Sequence, residues 1–262
     1  MSDTSQVLIF GCAVLVLFAL MLTFLEAGRR IGVRHKQRGT ELSSAGLTAV
    51  DGAVFGLTAL IIAFTFSGAA TRFDGRRQLI VQEANVIGTA YHRIDLLPAA
   101  SQPAMREYFR AYLDARLAYY SEGVVNRETR LANEARYTVI QEKIWAEAVA
   151  GCRELNSPAA SSLVLAPLND MIDITTTRAA ALETHPPTVI YWGLLVLVLA
   201  SSVLAGYGLA EAKTRNWMHL ILYAAVMATV VYVILDLEFP RFGLIRIDAA
   251  DHILMDLRAF MK

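Results

Sequence analysis

The chain is poor in residues that carry covalent or metal chemistry. It has two cysteines in 262 residues, Cys12 in an apolar run and Cys152 in a charged stretch, which excludes a disulfide framework and argues against a bond between them. The histidines His35, His92, His185, His219 and His252 make no close pair. No Cys-x-x-Cys, His-Glu-x-x-His, phosphate loop, dinucleotide fingerprint or nucleophile elbow occurs. The sequence therefore offers no catalytic residue, no metal ligand set and no cofactor site, and the expectation is a protein that is not an enzyme. Excess charge of one sign is also missing: 24 basic residues balance 24 acidic ones, which removes the global case for nucleic acid as a partner. There is no period-2 alternation of the kind a half-buried strand requires, and no internal repeat.

Charge is absent altogether from Val7 to Leu25, Ala53 to Ala70, Val189 to Ala210 and Trp217 to Leu235. A bilayer core about 30 Å thick takes roughly 20 helical residues, so each run is long enough, or nearly so, to span it. Trp192 and Trp217, near the starts of the third and fourth runs, suit interfacial anchors. The first run lacks a basic segment before it and a small-x-small cleavage site before Glu26, so it reads as a retained span and not as a signal peptide. Seven basic residues flank span ends on one side (Arg29, Arg30, Arg34, Lys36, Arg38, Lys213, Arg215) and six on the other (Arg72, Arg76, Arg77, Arg178, Arg241, Arg246). The dense first connection tips the balance toward termini and insert outside the cytoplasm.

The segments divide as 1–70, the first two spans; 71–188, an extramembrane insert; 189–235, the last two spans; and 236–262, an amphipathic tail, with Ile245 to Met261 helical and lying along the membrane or the insert. The insert reads as helical. Ile80, Ala84, Ile87, Tyr91 and Ile94 repeat with 4-3-4-3 spacing, and no proline occurs from Gly46 to Leu97, so the second span continues as one helix of about 50 residues or as two pieces bent near Gly75. Pro98 stops it. Pro103 opens a helix with Met105, Phe109, Tyr112, Leu113, Leu117 and Tyr120 inward. Another helix, from about Asn126 to Ala150, is expected to bury Leu131, Thr138, Ile144 or Trp145, and Val149. Ser157-Pro158 reads as cap and first turn of a last helix through Leu182. The fold class is therefore an all-α integral membrane protein, four transmembrane helices with a helical domain inserted between spans two and three.

The second span holds the site candidates. Asp51, Thr58, Thr65 and Arg72 recur every seven residues, nearly two turns, so they form one stripe, with Phe55 and Ile62 on the same side and Phe64 and Phe66 a turn further on. Gly52, Gly56, Ala63, Ser67 and Ala70 form a second, small face suited to close helix packing. Two readings stand. In one, copies of the helix surround an axis, with the polar stripe wetting it and the bulky residues forming a dry gate. In the other, the threonines bond their own backbone carbonyls and Asp51 is a cap in the headgroup region. Arg72, Arg76 and Arg77 form either a pore-mouth ring or lipid-phosphate anchors, with Asp74 among them. Asp236 and Glu238, past the fourth span, are expected to pair with Arg72, Arg76 or Arg77. Pro240 and Gly243 then make a turn. Glu83, Asn85, His92, Arg93 and Asp95 either line a vestibule or hold neighbouring helices.

The run Gly56 to Leu97 and the run Tyr232 to Ile247 resemble the bacterial bestrophin-like membrane proteins, most specifically at Phe73-Asp74 with Arg76-Arg77, at Glu83-Ala84-Asn85, and at Asp236-Leu237 with Pro240-Arg241. The resemblance points to bestrophins, pentameric anion channels in which the second span lines the pore, a hydrophobic neck includes phenylalanines and a helical domain continues the conduit. It implies a homo-oligomeric ion channel, pentameric by analogy and anion-selective, in the bacterial inner membrane, with lipid and inorganic ions as partners. Phe55, Ile62, Phe64 and Phe66 are then constriction candidates, and Arg72, Arg76 and Arg77 selectivity candidates. The competing expectation is a non-conducting scaffold or sensor that binds a partner through exposed Tyr108, Tyr112, Tyr119 and Tyr120.

Overall fold

A computed structural model describes residues 3–38, 44–121, 127–211, 217–240 and 244–261. Asn126, Lys213, Arg215, Arg241 and Gly243 lie outside the described residues, and with them part of the charge count and of the turn expected after Pro240. Among the described residues there are helices and no strands. Among the described residues, four helices are long and apolar enough to cross a membrane.

The chain forms two compact units, Thr4–Thr71 with His185–Leu244, and Arg72–Thr184 with Ile245–Lys262. The membrane unit contains α1 (Asp3–Gln37), the first half of α2 (Ser44–His92), α6 (Thr188–Gly208) and α7 (Trp217–Glu238). The basic stretch after Leu25, expected as a connection, is helical to Gln37, because it holds neither proline nor a turn signal before Arg38. α2 runs unbroken through Gly75 to His92. A 3-10 turn, Arg93–Leu96, follows, and Leu97 is extended, as the residue before Pro98 must be.

The membrane unit is held by contacts between small residues. A Cβ added to Gly28 of α1 would lie 2.0 Å from the Val203 carbonyl oxygen of α6, and one added to Gly206 of α6 would lie 1.9 Å from that of Leu25. These two backbones therefore touch, through a Gly28-x-x-x-Gly32 face. By contrast, nothing lies within 4 Å of such an atom at Gly52 or Gly56, the glycine pair singled out from sequence. α6 and α7 are joined by the Tyr223 hydroxyl, which donates to Ser201 Oγ at 2.8 Å. Outward, Trp192 and Trp217 are exposed, along with Leu15, Val16, Val189, Val196, Leu222 and Val226. An apolar exterior of this kind suits lipid.

The insert is built from the second half of α2, α3 (Gln102–Ser121), α4 (Arg127–Leu155) and α5 (Pro158–Glu183), with α8 (Asp248–Phe260) packed on α3. Its core holds the whole expected α2 stripe, Ile80, Ala84, Ile87, Tyr91 and Ile94, together with Met105, Phe109, Tyr112 and Leu113 of α3. α4 differs from expectation. Leu131 and Thr138 are exposed, and the buried face is Tyr137, Gln141, Ile144, Ala148 and Cys152. The stripe runs through a tyrosine, an amide and small residues, so apolarity alone placed it out of register. The corner between α4 and α5 is local chemistry. Asn156 takes the left-handed conformation (φ 47°) that asparagine tolerates, Ser157 accepts the Ala160 N–H, and Pro158 fills the first helical position.

Candidate functional site

The membrane half of α2 has two unlike edges. Thr58 is 2% exposed, inside the unit, and its hydroxyl donates to the Val54 carbonyl at 2.8 Å. Thr65, half-buried, donates to Ile61 O (2.8 Å) and Ile62 O (3.0 Å). The hydroxyls of the seven-residue stripe are thus occupied by their own backbone, as threonine in a membrane helix can do at little cost. Asp51 is half-buried at the start of this edge. The small face is the outward one: Gly52, Gly56, Ala63 and Ser67 are exposed, and Ala70 partly so.

Phe64 (66%) and Phe66 (43%) are both exposed. Residues two apart on a helix point about 200° apart, so the two rings face different neighbours. Phe66 lines a groove of about 400 Å³ with Phe55, Thr58, Ala59, Ile62 and Ala63 of α2 and Tyr223, Met227 and Val230 of α7. Its only side-chain hydroxyls, on Thr58 and Tyr223, already donate to Val54 O and Ser201 Oγ. Phe55, Ile62 and Phe66 therefore present a dry wall, whereas Phe64 lies off it.

Beyond the membrane half, Arg76 is buried and donates through Nε to Ala181 O (3.1 Å) and through Nη2 to Thr184 O (3.0 Å). It caps the last carbonyls of α5, a favourable place for a cation, and is not an exposed mouth charge. Arg77 is exposed, 3.7 Å from Asp74 and over the Phe73 ring; Arg72 is half-buried. At the end of α7, Asp236 and Glu238 are buried. Asp236 accepts the Leu244 N–H at 3.0 and 3.2 Å. Glu238 lies 2.9 Å from His185 Nδ1, with the His185 ring stacked on Phe239.

In the insert, Glu83 is fully buried between two arginines. It receives Arg116 Nε at 2.6 Å on one oxygen and Arg178 Nη1 on the other. Arg116 also donates to the Tyr120 hydroxyl and is flanked by the rings of Tyr119, Tyr120 and Tyr137. Arg178 lies over the Tyr120 ring, and its Nη2 is 3.9 Å from Asp251 of α8. Burial alone would push the Glu83 carboxyl up, but the two guanidiniums outweigh burial and hold it below the usual carboxylate range. Glu83 thus contributes stability that is complete above its unfolded-state value, about 4.3, and is lost as pH falls through the lower folded-state value. An acid titration of the insert followed by tyrosine fluorescence is expected to show a limb that Glu83→Gln removes.

Three of the tyrosines expected at an exposed interface, Tyr112, Tyr119 and Tyr120, are buried: the rings of Tyr119 and Tyr120 flank arginine, and Tyr112 lies in the core with its hydroxyl accepting from Gln141 at 3.4 Å. Arg178, counted from the sequence among the charges flanking span ends, is instead buried beside Glu83, and Arg116 was not among the sequence candidates. The available signal was periodic: Arg178 continues the buried spacing Leu168, Met171, Thr175, and Arg116 continues Met105, Phe109, Tyr112.

The family model described as Bestrophin-like domain matches residues 13–251. No curated protein matches the chain. Among solved structures, a bacterial bestrophin homologue from Klebsiella pneumoniae carrying a tyrosine-to-alanine mutation matches with TM-score 0.69 at 15% identity, over 94% of this chain and 99% of that one. A leucine-to-threonine variant of it gives 0.69 at 16%, over 95% and 98%. The structure of that homologue phased on zinc gives 0.66 at 17%, over 94% and 98%. At these identities the likeness is one of fold.

Proposed function

Because the chain belongs to the bestrophin-like family, we propose that this multi-pass membrane protein is an oligomeric, anion-conducting channel in which α2 lines the pore. Family membership supports an ion channel; the observation that carries the finer reading is the dry wall of Phe55, Ile62 and Phe66 on the membrane half of α2, with exposed Gly52 and Gly56 on the same half, where among the described residues nothing lies within 4 Å of an added Cβ. Copies of such a wall around an axis make a hydrophobic constriction that gates by dewetting. Pentameric assembly follows the family analogy. Arg72 and Arg77 are the mouth charges of this reading, whereas Arg76 is engaged in capping α5. The membrane is the bacterial inner membrane, and the basic end of α1 lies in the cytoplasm, which places the insert outside.

The test is current through reconstituted protein. Phe66→Ala and Ile62→Ala are expected to raise chloride conductance several-fold, and Phe64→Ala to leave it near that of the parent. Silent bilayers containing folded protein at all voltages and pH values, or a larger effect at Phe64 than at Phe66, would sink the assignment. Orientation is read separately, by labelling a cysteine introduced on the exposed face of α4 in intact cells: reaction with an impermeant reagent is expected, and protection would place the insert in the cytoplasm.

A further inference from the structure

α1 changes character along a single face. On the outward side Val16, Leu20, Thr23 and Ala27 are exposed and apolar or nearly so. Within one turn the same side becomes Arg30, Arg34 and Arg38, all exposed, with Lys36 exposed nearby. Steps of four residues keep these arginines in one stripe. Arg38 still belongs to it, since its N–H donates to Arg34 O and His35 O as a helical residue would. Gly28 and Gly32, which press against α6, lie on the other side of the helix. Glu26 is 3.1 Å from Arg29 and 2.8 Å from Arg30, so it balances part of the charge at the start of the stripe. Arg34, Lys36 and Arg38 have no acidic partner among the described residues.

From this switch we infer that the Arg30–Arg34–Arg38 stripe is a docking surface for anionic phospholipid headgroups. The apolar part of the face borders acyl chains, so its cationic continuation stands at the level of the phosphates. Eight residues of helix rise about 12 Å, and the long arginine stems reach back toward the interface, which brings all three guanidiniums within range of headgroups of one leaflet. Guanidinium forks pair with phosphate oxygens two bonds at a time, which favours arginine in this role. The occupant is identified by complementary charge and by position at the edge of a lipid-facing surface. Neither depends on whether the protein conducts.

The experiment is thermal unfolding of the detergent-purified full chain with added phosphatidylglycerol, phosphatidylcholine or inorganic phosphate. Phosphatidylglycerol is expected to raise the melting temperature of the parent, and the other two to leave it unchanged. The triple variant R30Q/R34Q/R38Q is expected to need roughly tenfold or more phosphatidylglycerol for the same rise. The variant R30K/R34K/R38K should keep most of the response. R136Q/K143Q/R153Q, which removes three exposed cations from α4, should keep all of it. An equal response in the triple glutamine variant, an equal rise with phosphatidylcholine, or a rise with inorganic phosphate alone would each overturn the inference.

Discussion

Glu83→Ala is expected to destabilise the insert by about 3–5 kcal/mol, the usual consequence of removing one partner from a buried ion pair. The magnitude follows from what is left behind. Arg116 is 1% exposed and Arg178 also buried, so neither guanidinium can recover water when the carboxylate goes. Among the described residues, the carboxylate then left to offset their mutual repulsion is Asp251, at 3.9 Å from Arg178. Glu83→Gln should lose nearly as much, because the amide restores shape and one acceptor but not charge. A variant in which Glu83, Arg116 and Arg178 are all replaced by apolar residues of similar volume should lose far less than Glu83→Ala, since it also abolishes the desolvation of three ions. Chemical unfolding followed by tyrosine fluorescence reads these differences. A triple variant weaker than the single one would show that the cluster is a net source of stability and not a balanced cost.

The other large effect is at the α1–α6 crossing. Gly206→Val is expected to abolish stable folding of the membrane unit or lower its melting temperature sharply, because even its first side-chain carbon would sit 1.9 Å from the Leu25 carbonyl oxygen. That neighbour is backbone, so relief requires the helices to separate, and overpacking of this kind costs about 1–3 kcal/mol or more. In lipid there is little hydrophobic drive to reclose the gap, since acyl chains compete equally for the separated faces. Gly28→Val should behave alike. Gly56→Val is the contrasting case: no atom lies within 4 Å, so the protomer should keep its melting temperature. If Gly56→Val destabilises the monomeric protein in detergent as severely as Gly206→Val does, the close contact has been misassigned.

Much of the fold was legible because two periodicities are strong. Charge-free runs give the spans, and the 4-3-4-3 stripe from Ile80 to Ile94 gives the core face of α2. Ser157-Pro158 gave a helix start for reasons confined to three residues. The candidate site was less legible. Hydropathy marks Thr58 and Thr65 as polar, so a stripe through them reads as a wet edge, yet each hydroxyl finds a carbonyl one turn back and the edge turns inward. Phe64 and Phe66 read alike in composition and differ by half a turn in direction. Glycine pairs carry no signal about which one meets a partner. Gly52–Gly56 and Gly28–Gly32 have the same spacing, and only the second is pressed against another helix. Arg116 and Arg178 were obscured by the expectation that charge marks a surface.

The insert also draws part of its interior from far along the chain. Ile247, Leu254 and Met261 are buried in it, although two apolar helices intervene between them and α5. During synthesis, then, α3, α4 and α5 emerge and wait: their packing is incomplete until α6 and α7 have passed into the bilayer and residue 261 has left the ribosome. Maturation of this domain is coupled to membrane insertion by chain order alone, and a nascent chain stalled after α7 should expose the α3 surface to chaperones or proteases that the finished protein denies them.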